Sequence, residues 1–162
     1  MNDPTPRSKK LAIAAALATL IAVPAEGLRQ VAYRDPPGIW TACRGHTGPD
    51  VKQGVRYSLA QCDAWMDQDM KHAVMLVDRC VPNAPPNVLA AFSDAAYNLG
   101  PKIACDTKNS TAARLLRAGD WFGACKQLLR WDKASMAGVM VALPGLTKRR
   151  AAESELCLKD LP

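Results

Sequence analysis

The sequence lacks internal repeats and low-complexity tracts, so its 162 residues are expected to form ordinary globular structure around one core. No two cysteines have CxxC spacing and none stands in a Cys/His ligand pattern, which argues against a zinc site. No heptad pattern or exposed apolar stripe calls for a dimer. We therefore expect a monomer that uses no metal and no cofactor.

Clusters of basic residues with interleaved aromatics are also missing, apart from the short run Lys148–Arg150, so nucleic acid is not an expected partner. Lys and Arg nevertheless outnumber Asp and Glu by 21 to 15, which gives a formal charge of +6. That balance suits an anionic partner such as a cell-wall polymer or a membrane surface, and it does not choose between them.

Six cysteines are spread along the chain: Cys43, Cys62, Cys80, Cys105, Cys125 and Cys157. An even number without metal-ligand spacing indicates an oxidising compartment and up to three disulfides. Six cysteines allow about fifteen pairings, and the spacing does not select one of them. Buried free thiols are the alternative.

Charge is absent from Leu11 to Ala25, whereas the residues before it include Arg7, Lys9 and Lys10. As a helix this apolar segment would be about 22 Å long, shorter than a hydrocarbon core of about 30 Å, and its alanines would hold a membrane weakly. The basic flank favours export of the residues that follow. Three interpretations are open: a cleaved secretory signal, a weak anchor that is later released, and an alanine-rich first helix of a cytoplasmic protein.

Helix-breaking residues divide the chain into a first helix over residues 11–27, a region rich in Pro and Gly over 33–57, and several later helices. The middle region contains short extended pieces at 39–43 and 55–57, which predict a small β lobe. We predict an α+β fold in which this lobe is inserted after the first helix and a larger helical lobe follows it.

The later helices have recognisable ends. Ser58 and Gln61 match a capping box, and apolar residues then recur at three- and four-residue steps. Ser110 and Gly119 start and stop a short helix, and Asp120 caps another. The remaining predictions are helices over 87–99, 110–118, 120–131 and 147–158, with a loop over 132–146.

Glu26 stands at the end of the apolar helix, where desolvation favours the protonated form of a carboxyl group. Asp35 follows in a polar Arg-Asp-Pro-Pro turn that favours the carboxylate, and Thr41 comes next on an extended piece. An acid in an apolar setting and a carboxylate in a wet one are the pair that glycoside hydrolysis requires. A glutamate at a helix end and an aspartate in a turn are common, so the spacing must carry the argument.

Glu, eight residues, Asp, five residues, Thr is the active-site pattern of the phage-type lysozymes, glycoside hydrolase family 24, and the sequence resembles them from Glu26 to the C-terminus. The other matching blocks follow in order: EGLR at 26, Thr-x-x-x-Gly-His at 41, YNLG at 97, STAARLL at 110, RW at 130 and GLTKRRAAE at 145. The resemblance implies a lysozyme-like fold with a cleft between its lobes. It also implies cleavage of the β-1,4 bond between N-acetylmuramic acid and N-acetylglucosamine in peptidoglycan.

Roles for single residues follow from the same resemblance. Glu26 would protonate the glycosidic oxygen, while Asp35 and Thr41 would activate a water on the opposite face of the sugar, which makes the enzyme inverting. An arginine is expected near the catalytic glutamate, and the sequence leaves open which of two neighbours it is. The positions matched to substrate binding are Gly45, His46, Asn98, Ser110, Arg149 and Arg150, with His46 more often a structural hydrogen-bond partner.

The cysteines resemble the family's common pairings at Cys80–Cys105 and Cys125–Cys157, which leaves Cys43 with Cys62. No cysteine lies in the N-terminal apolar segment. Some relatives are kept inactive by a disulfide from that segment, and this sequence lacks the device.

Residues 1–25 resemble the signal-anchor-release segments of certain endolysins, which leaves a catalytic domain over residues 26–162. The resemblance implies that the segment from Leu11 to Ala25 first tethers the chain to the host inner membrane, facing the periplasm. Release would let the segment fold as the first helix, and host lysis would follow. Two alternatives remain: a lytic transglycosylase, which needs no water-activating partner, and a non-catalytic cell-wall-binding module, which needs no such triad.

Overall fold

The computed structural model describes residues 6–162, so the beginning of the predicted N-terminal segment, residues 1–5, lies outside the described residues. The first helix, α1, spans Pro6–Ala25. The side of α1 that faces away from the rest of the protein exposes Ile13 and Leu20. Spacing of about one helical turn places the buried residues on one face, and their small side chains allow close approach to neighbouring helices. The buried residues of α1 are Ala14, Ala15, Ala18 and Ala22.

The β lobe follows α1 directly. Three antiparallel strands form its sheet in the order β1-β2-β3: β1 (Arg29–Arg34), β2 (Trp40–Cys43) and β3 (His46–Thr47). Its small core packs against Trp65, which belongs to the helix after the lobe. The predicted lysozyme-like α+β arrangement, with a small β lobe after the first helix, is confirmed.

The helical lobe is built around one central helix. Its elements are α2 (Leu59–Cys80), α3 (Pro86–Leu99), α4 (Lys102–Cys105), α5 (Thr111–Ala118), α6 (Trp121–Gln127) and α7 (Pro144–Leu158). Helices α1, α2 and α7 all pack against α3, and every residue from Val88 to Ala96 is buried. Any polar side chain in that part of α3 therefore has to find its partners inside the protein.

Helix starts agree with the sequence where a side chain caps the first turn. Ser58 Oγ accepts a hydrogen bond from the backbone N–H of Gln61 at the start of α2. Ser110 Oγ accepts one from Ala113 at the start of α5, and Asp120 caps α6 in the same way. Each cap satisfies a backbone donor that the helix itself cannot satisfy.

The predicted loop over residues 132–146 is wrong. Strands β4 (Lys133–Met136) and β5 (Val139–Ala142) form an antiparallel hairpin there. Between them, Ala137 and Gly138 both have positive φ, at 51° and 82°, which is the backbone of a two-residue turn that matches the twist of paired strands. Glycine and proline in this region favour a loop, and the sequence carries no hairpin signal because alanine rarely adopts a positive φ.

Several helix bounds and one short helix also differ from the predictions: α1 spans Pro6–Ala25 rather than residues 11–27. Helix α7 begins at Pro144 rather than Thr147, because proline suits the first turn of a helix. The Thr147 hydroxyl instead donates to the Asp132 carboxylate at 2.9 Å. Helix α6 gives way to a 3-10 turn over Leu128–Arg130, and α4 was not predicted.

Three disulfides brace the fold, and they confirm the pairing that the resemblance implied. Cys43–Cys62 fastens β2 to α2, Cys80–Cys105 fastens α2 to α4, and Cys125–Cys157 fastens α6 to α7. Within residues 6–162 no cysteine is free.

Candidate active site

A cavity of about 390 Å³ lies where the two lobes meet. The end of α1, the β2–β3 turn, and one face each of α2 and α3 contribute to its walls. Polar side chains dominate this lining: Glu26, Arg44, Thr47, Asp69, His72, Tyr97 and Asn98. The cavity therefore brings together residues from both lobes and from distant parts of the sequence.

Glu26 is fixed by the helix that precedes it. Its backbone N–H donates to the Ala22 carbonyl at 2.8 Å. Its side chain is 22% exposed, so it is shielded from bulk water yet open to the cavity. Oε1 accepts a 2.6 Å hydrogen bond from Nη1 of Arg149. Oε2 lies towards Gly45, where a Cβ atom would stand 3.9 Å from it, and the φ of 86° at Gly45 suits only glycine.

Arg149 is held from its other side by Asp94. Nε and Nη2 of Arg149 donate to the two carboxylate oxygens of Asp94 at 2.9 and 2.7 Å. Both side chains are buried, Asp94 fully so. Burial lowers the pKa of Arg149, but the hydrogen bonds and charges of Asp94 and Glu26 outweigh it and raise that pKa above its ordinary value. Arg149 is therefore a permanent cation whose guanidinium plane is fixed.

Arg149, not Arg150, is the arginine beside Glu26. Arg150 is fully buried, and its Nη2 donates to Oε1 of Glu153. Burial and a hydrogen bond to Asp94 raise the pKa of Glu153, so this carboxyl group favours its protonated form. A fully buried side chain has no surface for substrate, so the predicted role of Arg150 in substrate binding is not retained.

Asp35 and Thr41 lie on the β1–β2 hairpin, and both bond to Ile39. Asp35 Oδ1 accepts from the Ile39 N–H at 2.7 Å, and the Thr41 hydroxyl donates to the Ile39 carbonyl at 3.2 Å. Asp35 is partly exposed, whereas Thr41 is only 3% exposed. Neither lines the cavity, although Thr41 pairs in register with Thr47, which does. Within the described residues, no hydrogen bond or ion pair joins either of them to Glu26.

His46 makes its polar and ring contacts inside the protein, between the β lobe and α2. Its Nδ1 lies 2.7 Å from the Asp69 carboxylate, and its Nε2 lies 3.3 Å from that of Asp50. The imidazole ring stacks on Trp65 with 4.2 Å between ring centroids. Because Asp69 and Trp65 both belong to α2, these contacts fasten the β2–β3 region to the helical lobe.

Asn98 and Ser110, both candidates for substrate binding, occupy different places. Asn98 lines the cavity, and its Oδ1 is buried without a hydrogen-bond partner. Such an orphan acceptor beside a cavity is suited to a ligand N–H. Ser110 is buried, does not line the cavity, and donates its hydroxyl to the Ile103 carbonyl at 2.7 Å. Its surroundings give it the role of a helix cap.

Two further groups belong to the site without a role predicted from the sequence: Asp94 and the hydroxyl group of Tyr97. Tyr97 Oη donates to the Arg44 carbonyl at 2.7 Å and so joins α3 to the β2–β3 turn. Burial, together with the negative charges of Glu26 and Asp69, raises the pKa of Tyr97, so this hydroxyl remains a donor. For Asp94 a signal was present: it is the one charged residue in the alanine-rich stretch 88–96. Within residues 6–162, no group of three or more His, Cys, Asp or Glu is placed to hold a metal ion.

Comparisons with known proteins agree with this geometry. A sequence profile of the Phage lysozyme family matches residues 24–153. The chain is 35% identical over 161 residues to the SAR-endolysin of Pseudomonas phage phiKMV, covering 98% of this chain and 94% of the relative. It is 34% identical over 134 residues to the SAR-endolysin of Enterobacteria phage P21, covering 82% of this chain and 77% of the relative.

A solved structure gives the same picture. The muramidase domain of SpmX from Asticaccaulis excentricus superimposes with a TM-score of 0.77 at 28% sequence identity, covering 88% of this chain and 95% of that one. The profile match extends over most of the sequence, and it includes Glu26, the cavity residues and Arg149. The chain belongs to the phage lysozyme family.

Proposed function

We propose that Glu26 is the general acid with which this chain cleaves the β-1,4 bond between N-acetylmuramic acid and N-acetylglucosamine. As a member of the phage lysozyme family and a relative of endolysins, the chain is a muramidase, a glycoside hydrolase that degrades bacterial peptidoglycan. The proposal concerns which of its residues perform that reaction and how the chain reaches its substrate.

The hydrogen bond from Arg149 to Glu26 at the edge of the cavity carries the proposal. Since Oε1 is engaged by Arg149, Oε2 is the oxygen left to carry a proton to the glycosidic oxygen. The contact also restricts the carboxyl group to one orientation, which is the condition for efficient proton donation in a bound complex. Partial burial keeps bulk water from competing for that proton.

Asp35 and Thr41 supply the attacking water in this proposal. Asp35 Oδ1 accepts from Ile39, which leaves Oδ2 free to take a proton from water. Thr41 Oγ1 donates to Ile39, which leaves its lone pairs free to accept from the same water. Attack from the face opposite Glu26 inverts the anomeric carbon. Closing of the β lobe onto the glycan would complete this arrangement.

The cavity also suggests how the sugar is held. The unpaired Oδ1 of Asn98 suits the N–H of an N-acetyl group. The turn at Gly45 has no side chain, so a sugar ring can approach Glu26 closely from that side. His46 and Arg149 act indirectly, by fixing the β lobe and the catalytic carboxyl group.

For delivery, α1 first acts as a temporary anchor in the host inner membrane. Because α1 begins before the apolar segment and spans Pro6–Ala25, it is long and apolar enough to cross a bilayer by length and composition, which Leu11–Ala25 alone is not. It exposes Ile13 and Leu20 on its outer face. The similar phage proteins are named SAR-endolysins. In the periplasm the released α1 packs on the helical lobe, and the chain acts as a monomer. Because Glu26 follows α1 immediately, the acid reaches the cavity only when α1 is packed there.

Clearing of outer-membrane-permeabilised Gram-negative cells tests the catalytic assignment. We would compare the wild type with Glu26→Gln and with Glu155→Gln, which removes the same charge from an exposed position of α7. Glu26→Gln should lower the clearing rate by about 100-fold or more with an unchanged melting temperature, and Glu155→Gln should not. Equal clearing by the wild type and Glu26→Gln would refute the assignment. Anhydro-sugar ends among the products would indicate a lytic transglycosylase instead.

Cell fractionation tests the anchor. The full chain should sediment with membranes before depolarisation of the host membrane and become soluble after it. A chain that is soluble throughout contradicts the anchor. A chain lacking residues 1–25 that keeps full specific activity contradicts the requirement that α1 be packed on the helical lobe to place Glu26.

A further inference from the structure

We propose that Asp94 is a positioning residue for catalysis: it fixes Arg149 and offsets its charge, so that Arg149 can hold Glu26 without keeping it deprotonated. This inference rests on the proposed role of Glu26 as the acid. It assigns a function to a buried carboxylate that never meets the substrate.

The first part of the argument is geometric. Nε and Nη2 of Arg149 donate to Asp94, and Nη1 donates to Glu26. Two parallel hydrogen bonds from a planar group fix its plane, whereas one bond leaves it free to rotate. Asp94 belongs to a wholly buried part of α3, the most enclosed helix of the lobe. The position of Nη1, and with it that of Glu26, is therefore set by Asp94.

The second part is electrostatic. A cation within hydrogen-bond distance of a carboxyl group favours the ionised form and typically lowers the pKa of that group by about 1–3 units. A general acid needs the opposite, because only the protonated carboxyl group can donate. The carboxylate of Asp94 bonds to the same guanidinium, so Arg149 does not act on Glu26 as an isolated positive charge.

Other charged or titratable groups surround Glu26, and none takes the place of Asp94. From α2, Asp69 is engaged with His46, and His72 is exposed. From the β2–β3 turn Arg44 adds positive charge, and from α3 Tyr97 is un-ionised. From α7, Glu153 lies farther off, 3.7 Å from Arg149, and favours its protonated form. Asp94 is the carboxylate that bonds directly to the cation touching Glu26.

The test is the pH profile of Asp94→Asn, measured as kcat and KM on soluble peptidoglycan fragments. Ser93→Ala is the matched control, because Ser93 is the adjacent residue and is equally buried, but its hydroxyl donates to Leu89. In Asp94→Asn we expect KM within about twofold of the wild type. The descending, alkaline limb of kcat should move to lower pH by about one unit, which lowers kcat about tenfold beyond that limb. Ser93→Ala should keep the wild-type profile.

Removing the uncompensated cation should reverse the shift. In the double variant Asp94→Asn with Arg149→Gln, the limb should return towards its wild-type pH even though kcat stays low. A purely structural role for Asp94 predicts a lower melting temperature and a uniformly lower kcat, without movement of the limb. That outcome would overturn the inference, and so would a limb that stays displaced in the double variant.

Glu26→Gln, assayed in parallel, separates this inference from the proposed function. If Glu26→Gln is inactive and the limb does not move in Asp94→Asn, only the role of Asp94 fails; if Glu26→Gln is active, both fail. Should Asp94→Asn not fold, NMR of the Arg149 side chain in Glu26→Gln decides. A guanidinium held by Asp94 keeps its slowed Nη rotation after Glu26 is replaced, and loss of that restriction would overturn the positioning role.

Discussion

Nη1 of Arg149 lies 2.6 Å from Oε1 of Glu26, although the two residues are 123 positions apart in the sequence. Glu26 follows the first helix and Arg149 belongs to the last, so their contact exists only when α1 and α7 are both packed against α3. The position of the proposed catalytic acid therefore depends on assembly of the whole helical lobe, and disturbances far from the cavity should reach it.

The first prediction concerns the guanidinium itself. Arg149→Lys keeps the charge but loses the fork that contacts two carboxylates at once. We expect kcat to fall by about tenfold to a hundredfold and the free energy of unfolding to fall by about 2 kcal/mol. Enzyme kinetics and urea denaturation measure the two effects. Lys148→Gln, at the exposed neighbouring position, should leave both nearly unchanged, and a fully active Arg149→Lys would contradict this account.

The second prediction concerns Asp78 on α2, which is only 1% exposed and binds two basic residues at the beginning of α1. Its carboxylate lies 2.7 Å from Arg7 Nη2 and 2.8 Å from Lys10 Nζ. Burial raises the pKa of Asp78, but Lys10 and Arg7 outweigh it and hold the pKa below its usual value of 3.8. Because the unfolded chain then binds the proton more readily, these pairs stabilise the fold above that pH. Their contribution is lost as the pH falls through the lower folded-state value.

Asp78→Asn should accordingly lower the free energy of unfolding by about 2 kcal/mol near neutral pH, and the difference should shrink in acid below about pH 4. Urea denaturation over this pH range measures it. Asp67→Asn is the control on the same helix, since its pair with Lys71 is exposed on both sides and should contribute about 0.5 kcal/mol or less. A pH-independent difference for Asp78→Asn would show that lost packing, not the ion pair, is responsible.

The third prediction concerns Glu153, whose pKa is raised by burial and by its hydrogen bond to Asp94. The folded chain holds this proton more tightly than the unfolded chain does. The stabilisation is therefore complete below the usual pKa of 4.5 and declines as the pH rises towards the raised value. Glu153→Gln keeps an acceptor for Arg150 and cannot ionise. The variant should gain stability over the wild type as the pH is raised from about 5 to about 8. A constant difference over that range in urea denaturation would mean that Glu153 is already ionised at the lower pH.

The fourth prediction concerns the disulfide between Cys43 and Cys62, which ties the strand carrying Thr41 to α2. Replacing both cysteines by alanine should cost about 3 kcal/mol of stability. It should also lower kcat, because the hairpin that positions Thr41 would be less constrained. The pair Cys125–Cys157 is the control: its removal should cost similar stability with a smaller loss of activity. Equal losses of activity would mean that catalysis responds to global stability alone.

Local patterns in the sequence predicted the parts of the fold that local chemistry decides. Helix starts are predictable at Ser58, Ser110 and Asp120, because a side-chain oxygen that can cap the first turn is recognisable from the adjacent sequence alone. The β4–β5 hairpin is not predictable from neighbours alone, for a related reason. Its turn uses Ala137 before Gly138 where asparagine or aspartate is the usual signal, so the tertiary structure imposes a positive φ that the sequence does not advertise.

Much of the candidate site could be predicted only as a set of positions. The spacing of Glu26, Asp35 and Thr41 indicated the chemistry, but the choice between Arg149 and Arg150 depends on how α7 is rotated about its axis. Adjacent helical residues point about 100° apart, so Arg149 reaches Glu26 whereas Arg150 points to Glu153 in the core. Asp94 shows the same limit, because its partner is 55 residues away and only packing of α3 against α7 brings them together.

The alanine face of α1 has a consequence for how this sequence can change. Ala14, Ala18 and Ala22 let the helix lie close against its neighbours, and the same small side chains keep its affinity for lipid low. A larger apolar residue at any of these positions would raise the affinity of the helix for a bilayer and would no longer fit against the neighbouring helices. In the proposed delivery, the same atoms would set how readily the helix leaves the bilayer for the protein, so that neither preference could be strengthened there without weakening the other.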